Sequence, residues 1–216
     1  MPALFQNDGG GPARACRMTA IDFETTGSVR GWPTEPWQLG LVELDAARVV
    51  PRSACGRLLH VPPDRPFNPY APGRHAQIRD ALADAPSLPS LLPELAPALL
   101  GRPLVAHNTG TERAILRKAF PMHAFGPWID TLALARAAFP GRTSYALEDL
   151  VPALGLAGAL ADALEAAPGD PSPPLAPHDA VYDAVAAAVL LAHILSLDRW
   201  SALAVDDLAE LSRKRK

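Results

Sequence analysis

Apolar positions alternate with polar ones in short runs early in the chain and shift to a three-to-four-residue spacing later, the patterns of strands and then helices. Met18, Ala20 and Ile21 lead into Asp22-Phe23-Glu24 and a Thr25-Thr26-Gly27 stop, which predicts a strand beginning near Arg17. Residues 37–44 predict a second strand and residues 49–61 a third, broken by Pro51 and Gly56. Residues 62–73 hold five prolines and predict an irregular surface loop. A short helix is predicted over 74–83, and another over 88–100 that Pro93 and Pro97 limit or kink. Then follow a strand at 103–106, a helix at 111–120, a strand at 128–130, and helices at 131–138 and 144–154. Residues 157–177 read as loop, 179–197 as a long apolar helix and 200–211 as a last helix. A strand meander followed by helices alternating with short strands predicts one α/β domain with a central mixed sheet flanked by helices. Residues 1–16 read as a disordered leader, 17–198 as the domain, and 199–216 as a C-terminal helix with a basic Arg213-Lys214-Arg215-Lys216 tail.

Composition narrows the function classes. The chain has 216 residues, 49% of them apolar, enough for one hydrophobic core. Its formal charge of −3 lacks the basic excess of proteins that wrap duplex DNA through phosphates. That balance suits a site in which carboxylates gather divalent cations, because the cations restore positive charge where a phosphate sits. Cys16 and Cys55 stand alone with no CxxC, which excludes a standard structural zinc site and reads as two reduced thiols. The longest apolar run, 184–197, contains His193 and is too short to span a bilayer. The first residues lack the basic start and apolar stretch of a secretory signal, so a cytoplasmic location is expected.

Three segments carry candidate chemistry. In Asp22-Phe23-Glu24 the two acids are two residues apart on a strand and share one face. Paired carboxylates repel unless a cation lies between them, so they form half of a magnesium site or else two solvated acids. In Val105-Ala106-His107-Asn108-Thr109-Gly110-Thr111-Glu112 an apolar strand passes straight into a helix, with Glu112 in the first turn. In His178-Asp179-Ala180-Val181-Tyr182-Asp183 a long helix opens, with His178 at its entrance and Asp183 one turn inside.

Together these segments resemble the three motifs of the DEDDh, or DnaQ-like, 3′→5′ exonucleases, a family that includes polymerase proofreading subunits and ribonuclease T. DFETTG is similar to the first motif, AHNTGTE to the second and HDAVYD to the third in its histidine form. Gln38 and Gly40, Asp130-Thr131-Leu132 and Tyr145-Ala146-Leu147 add smaller echoes. The resemblance spans about residues 17–197 and implies a ribonuclease H-like fold. It implies that Asp22, Glu24, Asp183 and Glu112 hold two Mg²⁺ or Mn²⁺ ions, with His178 as general base. An imidazole suits that task as a side-chain type that titrates near neutrality. It also implies that Thr25, Thr26, Gly27, His107 and Asn108 lie on the substrate side, although His107 and Asn108 also fit a role in shaping the turn.

Glu112 departs from the pattern, which has aspartate there. Thr109-x-x-Glu112 is also a capping-box spacing, so Glu112 is either linked to metal or a helix cap. Asp179 and Asp130 read as helix caps. The implied activity is removal of nucleoside 5′-monophosphates from single-stranded DNA or RNA ends. The alternatives are a weakened nucleic-acid-binding module and a subunit whose main task is to bind a polymerase or another partner, and a homodimer is also open.

Overall fold

The computed structural model describes residues 11–71, 73, 78–168 and 175–213. The meander forms first: β1 (Met18–Thr25), β2 (Pro36–Asp45) and β3 (Arg48–Leu58). After it come α1 (Arg79–Asp84), α2 (Leu92–Leu99), β4 (Leu104–Ala106) and α3 (Gly110–Ala119). Then follow β5 (Trp128–Asp130), α4 (Thr131–Ala138), α5 (Leu147–Ala153), α6 (Ala157–Glu165), α7 (Ala180–Ser196) and α8 (Val205–Arg213). The sheet order is β3-β2-β1-β4-β5, with β1–β2 and β2–β3 antiparallel and β1–β4 and β4–β5 parallel.

Strand alternation sorts side chains between two cores. Met18 and Ala20 of β1, Val42 and Leu44 of β2, and Val105 of β4 face a core built with α4 to α8. Ile21 and Phe23, Leu39 and Leu41, and Leu104 and Ala106 face the other core, with α2 and α3. The even-numbered positions of β1 and β2 therefore point at α7, and Asp22, Glu24, Gln38 and Gly40 continue that row. Helix α7 is apolar nearly all round and buries twelve of its residues, which makes it the central helix.

Several expectations change. Residues 157–165, predicted as loop, form α6, whose Leu160 and Ala163 are buried against the α7 core. Small residues and leucines, none of them β-branched, carry that helix, and the Gly/Pro cluster that suggests a loop lies further on, at 169–174, outside the described residues. The third strand runs unbroken from Arg48 to Leu58 because it is an edge strand, where proline is tolerated. Pro51 falls where the β2 register shifts, and there the Glu43 amide donates to Ser53 Oγ at 2.8 Å. The predicted helix at 88–100 starts as a 3-10 turn, Leu88–Leu91, before α2. The final helix begins at Val205, and Trp200 is buried in the turn before it. Of the stretch read as leader, residues 11–16 are built into the fold: Ala13 is buried in a 3-10 turn and its amide donates to Leu203 O at 2.7 Å. Residues 1–10, 74–77 and 214–216, on which other parts of those expectations fall, lie outside the described residues.

Candidate active site

Helix α7 reaches the sheet closely because glycines receive it. A Cβ on Gly40 would lie 2.0 Å from Ala180 O, and one on Gly56 would lie 2.8 Å from Val181 Cγ2. These two glycines are register partners on β2 and β3, so a shallow seat forms under the first turn of α7. Gln38 locks the seat from the same row. Its Nε2 donates to Asp179 Oδ2 at 2.9 Å and its Oε1 accepts from the Ala180 amide at 3.3 Å. Asp179 caps the helix by accepting from the Val181 amide at 3.0 Å, the role its position suggested. His178, at φ 66°, turns its own amide onto Asp183 Oδ2 at 3.1 Å. As a result the ligand atoms of Glu24, His178 and Asp183 all lie within 4.8 Å of one another.

Glu112 arrives from the opposite side of the sheet. Pairing between β1 and β4 covers Thr19 and Ala20, so β1 runs on with an open edge. There the buried Glu112 carboxylate lies near its own amide and that of Phe23, whose dipoles favour its charge. The capping box does not form. The Thr109 amide donates instead to Asp130 Oδ2 at 3.2 Å, and the Thr109 side chain makes no capping bond. Glu112 Oε2 is buried without a hydrogen-bond partner.

Four acids from three segments thus share one end of β1. Burial, and then repulsion from Glu112, Asp183, Glu24 and Asp179, holds Asp22 well above the ordinary carboxylate range. Burial and then Asp183, Asp179 and Glu112 push Glu24 up to about 8. Burial pushes Glu112 up to about 7 against the two amides that favour its charge. Burial raises Asp183 to about 6, opposed by the amide and ring of His178. Among the described residues, no lysine or arginine contributes to any of these four shifts. A positive charge placed among them would relieve all four at once. An all-oxygen donor set with an unpartnered buried carboxylate oxygen fits a hard divalent cation.

The other predicted positions divide. Gly27, at φ 67°, makes the turn, and Thr25 stays half-buried at the end of β1. Thr26 is turned inward, its hydroxyl accepting from the Glu35 amide and from Arg65 Nη2, each at 3.1 Å. His107 is committed on both ring nitrogens, to Thr131 Oγ1 at 2.9 Å and Tyr145 O at 2.8 Å. Asn108 is exposed at φ 71°. Asp130 caps α4 and is not part of the acid cluster's open face. Two residues were passed over by the sequence reading. Glu148 Oε2 lies 3.7 Å from His178 Nε2, and buried Arg65 fastens the loops beside Thr26. Neither stands in a motif, and only contacts distant in sequence reveal them. A cleft of about 300 Å³, lined in part by Thr34, Leu59, Leu88, Ile115 and Lys118, contains none of the four acids. It follows α3 away from Glu112.

Sheet order and helix placement define the class of the molecule as a ribonuclease H-like α/β protein with an acidic strand end. The exonuclease family model RNase_T matches residues 19–191. Exodeoxyribonuclease 10 of Escherichia coli is 30% identical over 189 residues, 87% of this chain and 73% of that protein. The epsilon subunit of DNA polymerase III of Escherichia coli is 32% identical over 137 residues, 58% of this chain. The chain spans about half the length of that relative, 56%. The solved structure of exonuclease X in complex with 5′ overhanging duplex DNA superposes with a TM-score of 0.62 at 27% identity, covering 89% of this chain and 99% of that one. The chain belongs to this family, the DEDDh exonucleases.

Proposed function

We propose that the chain is a divalent-metal-dependent 3′→5′ exonuclease that releases nucleoside 5′-monophosphates from single-stranded DNA or RNA ends. One observation carries this reading: ligand atoms of Glu24, His178 and Asp183 lie within 4.8 Å of one another beside Asp22 and Glu112, and among the described residues no lysine or arginine offsets the raised pKa values of the four acids. Asp22, Glu24, Asp183 and Glu112 would hold two divalent cations. Bound there, the cations would supply positive charge for the attacking and leaving oxygens of a phosphodiester displacement. His178 takes the proton of the attacking water at its imidazole. Glu148 beside Nε2 and the amide contact to Asp183 keep that residue at the helix entrance. Water oxygen joins phosphorus, the bond to the 3′ oxygen breaks, and that oxygen takes a proton from solvent water and leaves as the 3′ hydroxyl of the shortened strand. Thr25 and the Gly27 turn border the terminal nucleotide, while Thr26, His107 and Asp130 hold the walls from behind.

The test is degradation of 5′-labelled single-stranded DNA and RNA with Mg²⁺, with Mn²⁺ or with EDTA. A metal-dependent ladder that shortens from the 3′ end supports the reading and shows the preferred sugar. Folded protein that yields no product with either metal moves the reading to a binding module, for which the substitution at Glu112 is the specific support. The polymerase-subunit relative also supports a search for a polymerase partner, made by pull-down with and without residues 199–216.

A further inference from the structure

Among the described residues Arg65 is the only buried arginine, 2% exposed, and the acid cluster does not use it. It sits in the proline-rich loop, and all but one of its hydrogen bonds go to other segments. Nε donates to Glu35 Oε2 at 3.0 Å and Nη2 to Thr26 Oγ1 at 3.1 Å. Nη2 also donates to Pro33 O, and Nη1 to Pro66 O. A buried guanidinium is stable only when its donors are matched this way, so the two loops and the end of β1 are fixed as one unit. Asn68 strengthens the same junction, its amide donating to Thr26 O at 2.8 Å and its Nδ2 to Ser28 O at 3.1 Å.

This unit presents an aromatic face. The Arg65 guanidinium lies 5.1 Å from the centroid of the Trp32 ring. Trp32 stands on a tight turn closed by its amide to Val29 O at 3.0 Å, with Gly31 at φ 82°. Trp32 is 46% exposed, whereas Trp37 and Trp200 are buried. Apolar rings are normally covered, and here a buried cation network holds one out beside the turn that follows Glu24. The chain carries a net charge of −3, so phosphate attraction alone gives a strand little to hold. Stacking supplies affinity without charge and without reading sequence, since every base has a π-face.

We propose that Trp32 is a base-stacking face for the single strand beside the nuclease site, and that Arg65 is the positioning residue that fixes it to the Thr25–Gly27 turn. The inference rests on the nuclease reading above. Its primary test is anisotropy of a fluorescein-labelled oligo(dT) in EDTA, where no cleavage is needed. Trp32→Ala weakens binding about tenfold and Trp32→Phe by less than about threefold, the span expected for one stacked base. Arg65→Lys keeps the charge but loses the fork, and it weakens binding toward the level of Trp32→Ala. A Trp32→Ala protein that is folded by circular dichroism and binds like wild type overturns the proposal, whether or not Arg65→Lys folds. In Mg²⁺, the loss of kcat/KM in Trp32→Ala on oligo(dT) exceeds its loss on thymidine 5′-(p-nitrophenyl) phosphate by about tenfold, because the ester carries one base. Equal losses on both substrates also overturn it. Wild type that binds the strand through Trp32 yet cleaves neither substrate would sink the nuclease reading and leave the stacking face standing.

Discussion

The ends of β1 and β5 both carry buried acids, and they are built in opposite ways. At β5, Asp130 is 4% exposed and surrounded by donors. It accepts from the amides of Leu132, Ala133, Asn108 and Thr109 and from the Thr109 hydroxyl, at 3.0–3.4 Å. At β1, Glu24 and Glu112 are 8% and 3% exposed, both repel Asp22, and Glu24 is also repelled by Asp183. Burial alone therefore does not mark a reactive acid. The amides around Asp130 spend its charge on holding the β4–α3 turn and the start of α4 in place. The acids at β1 have few donors and each other, so their charge is left for something from outside.

The comparison breaks most sharply through Asp22→Asn. The amide removes a charge from the cluster and a ligand from the proposed cation site. Nuclease activity is expected to fall about a thousandfold, equivalent to roughly 4 kcal/mol. The metal-free protein gains about 1 kcal/mol by losing repulsion, and its Tm rises roughly 2–4 °C. A thermal melt beside the ladder assay checks both. Reduced stability together with lost activity would mean that Asp22 is a structural acid like Asp130.

Asp130→Ala should act the other way. It strands several amide donors and removes a cap, so stability falls by about 3 kcal/mol. Activity falls only as far as folded protein is lost or the His107–Asn108 turn shifts, and stabilising solutes restore part of it. Activity abolished with Tm unchanged would place Asp130 in the chemistry.

Glu112→Gln sits between the two ends. The amide oxygen can still face the Phe23 amide, but the charge is gone. A drop of about a hundredfold with intact folding marks a metal-linked carboxylate. Activity within about twofold of wild type, a difference of some 0.4 kcal/mol, marks a strand-edge cap.

Much of this contrast was legible in the sequence, and the missing part has a physical cause. The acids of DFETTG, the helix entrance at His178 and the capping roles of Asp130 and Asp179 follow from local spacing, which fixes which side chains share a face or a helix end. Gly40 was noted only as an echo. Its purpose appears once α7 lies 2.0 Å from where its Cβ would be, a contact across 140 residues. Arg65 and Glu148 were invisible for the same reason. Helix α6 is hard to read from the sequence because a Gly/Pro cluster follows a segment whose helical residues are mostly small. Thr109-x-x-Glu112 had the spacing of a capping box, but Asp130 on the neighbouring strand takes the Thr109 donors, so tertiary contacts override the local pattern.

The smallest effect is the most diagnostic of how the two strand ends differ. Folding raises Glu24 to about 8, Glu112 to about 7 and Asp183 to about 6, from ordinary values near 4. A carboxyl raised on folding binds protons more tightly in the native state than in the unfolded chain. Stability from these groups is therefore fully present below the unfolded values and is lost as pH rises through the folded ones. Metal-free protein should melt a few degrees lower near pH 8 than near pH 5.5, a window set by the raised values of Asp183 and Glu24. A divalent cation binds the deprotonated acids, so the rise in Tm on adding Mg²⁺ should be larger near pH 8 than near pH 6. In Asp22→Asn both trends should flatten, because the shared repulsion is reduced at its centre. Differential scanning fluorimetry in EDTA and in Mg²⁺ across that range measures all three. A metal-free Tm that does not fall with pH, or a Mg²⁺ gain that shrinks toward pH 8, would show that these carboxylates are already satisfied within the protein, as Asp130 is.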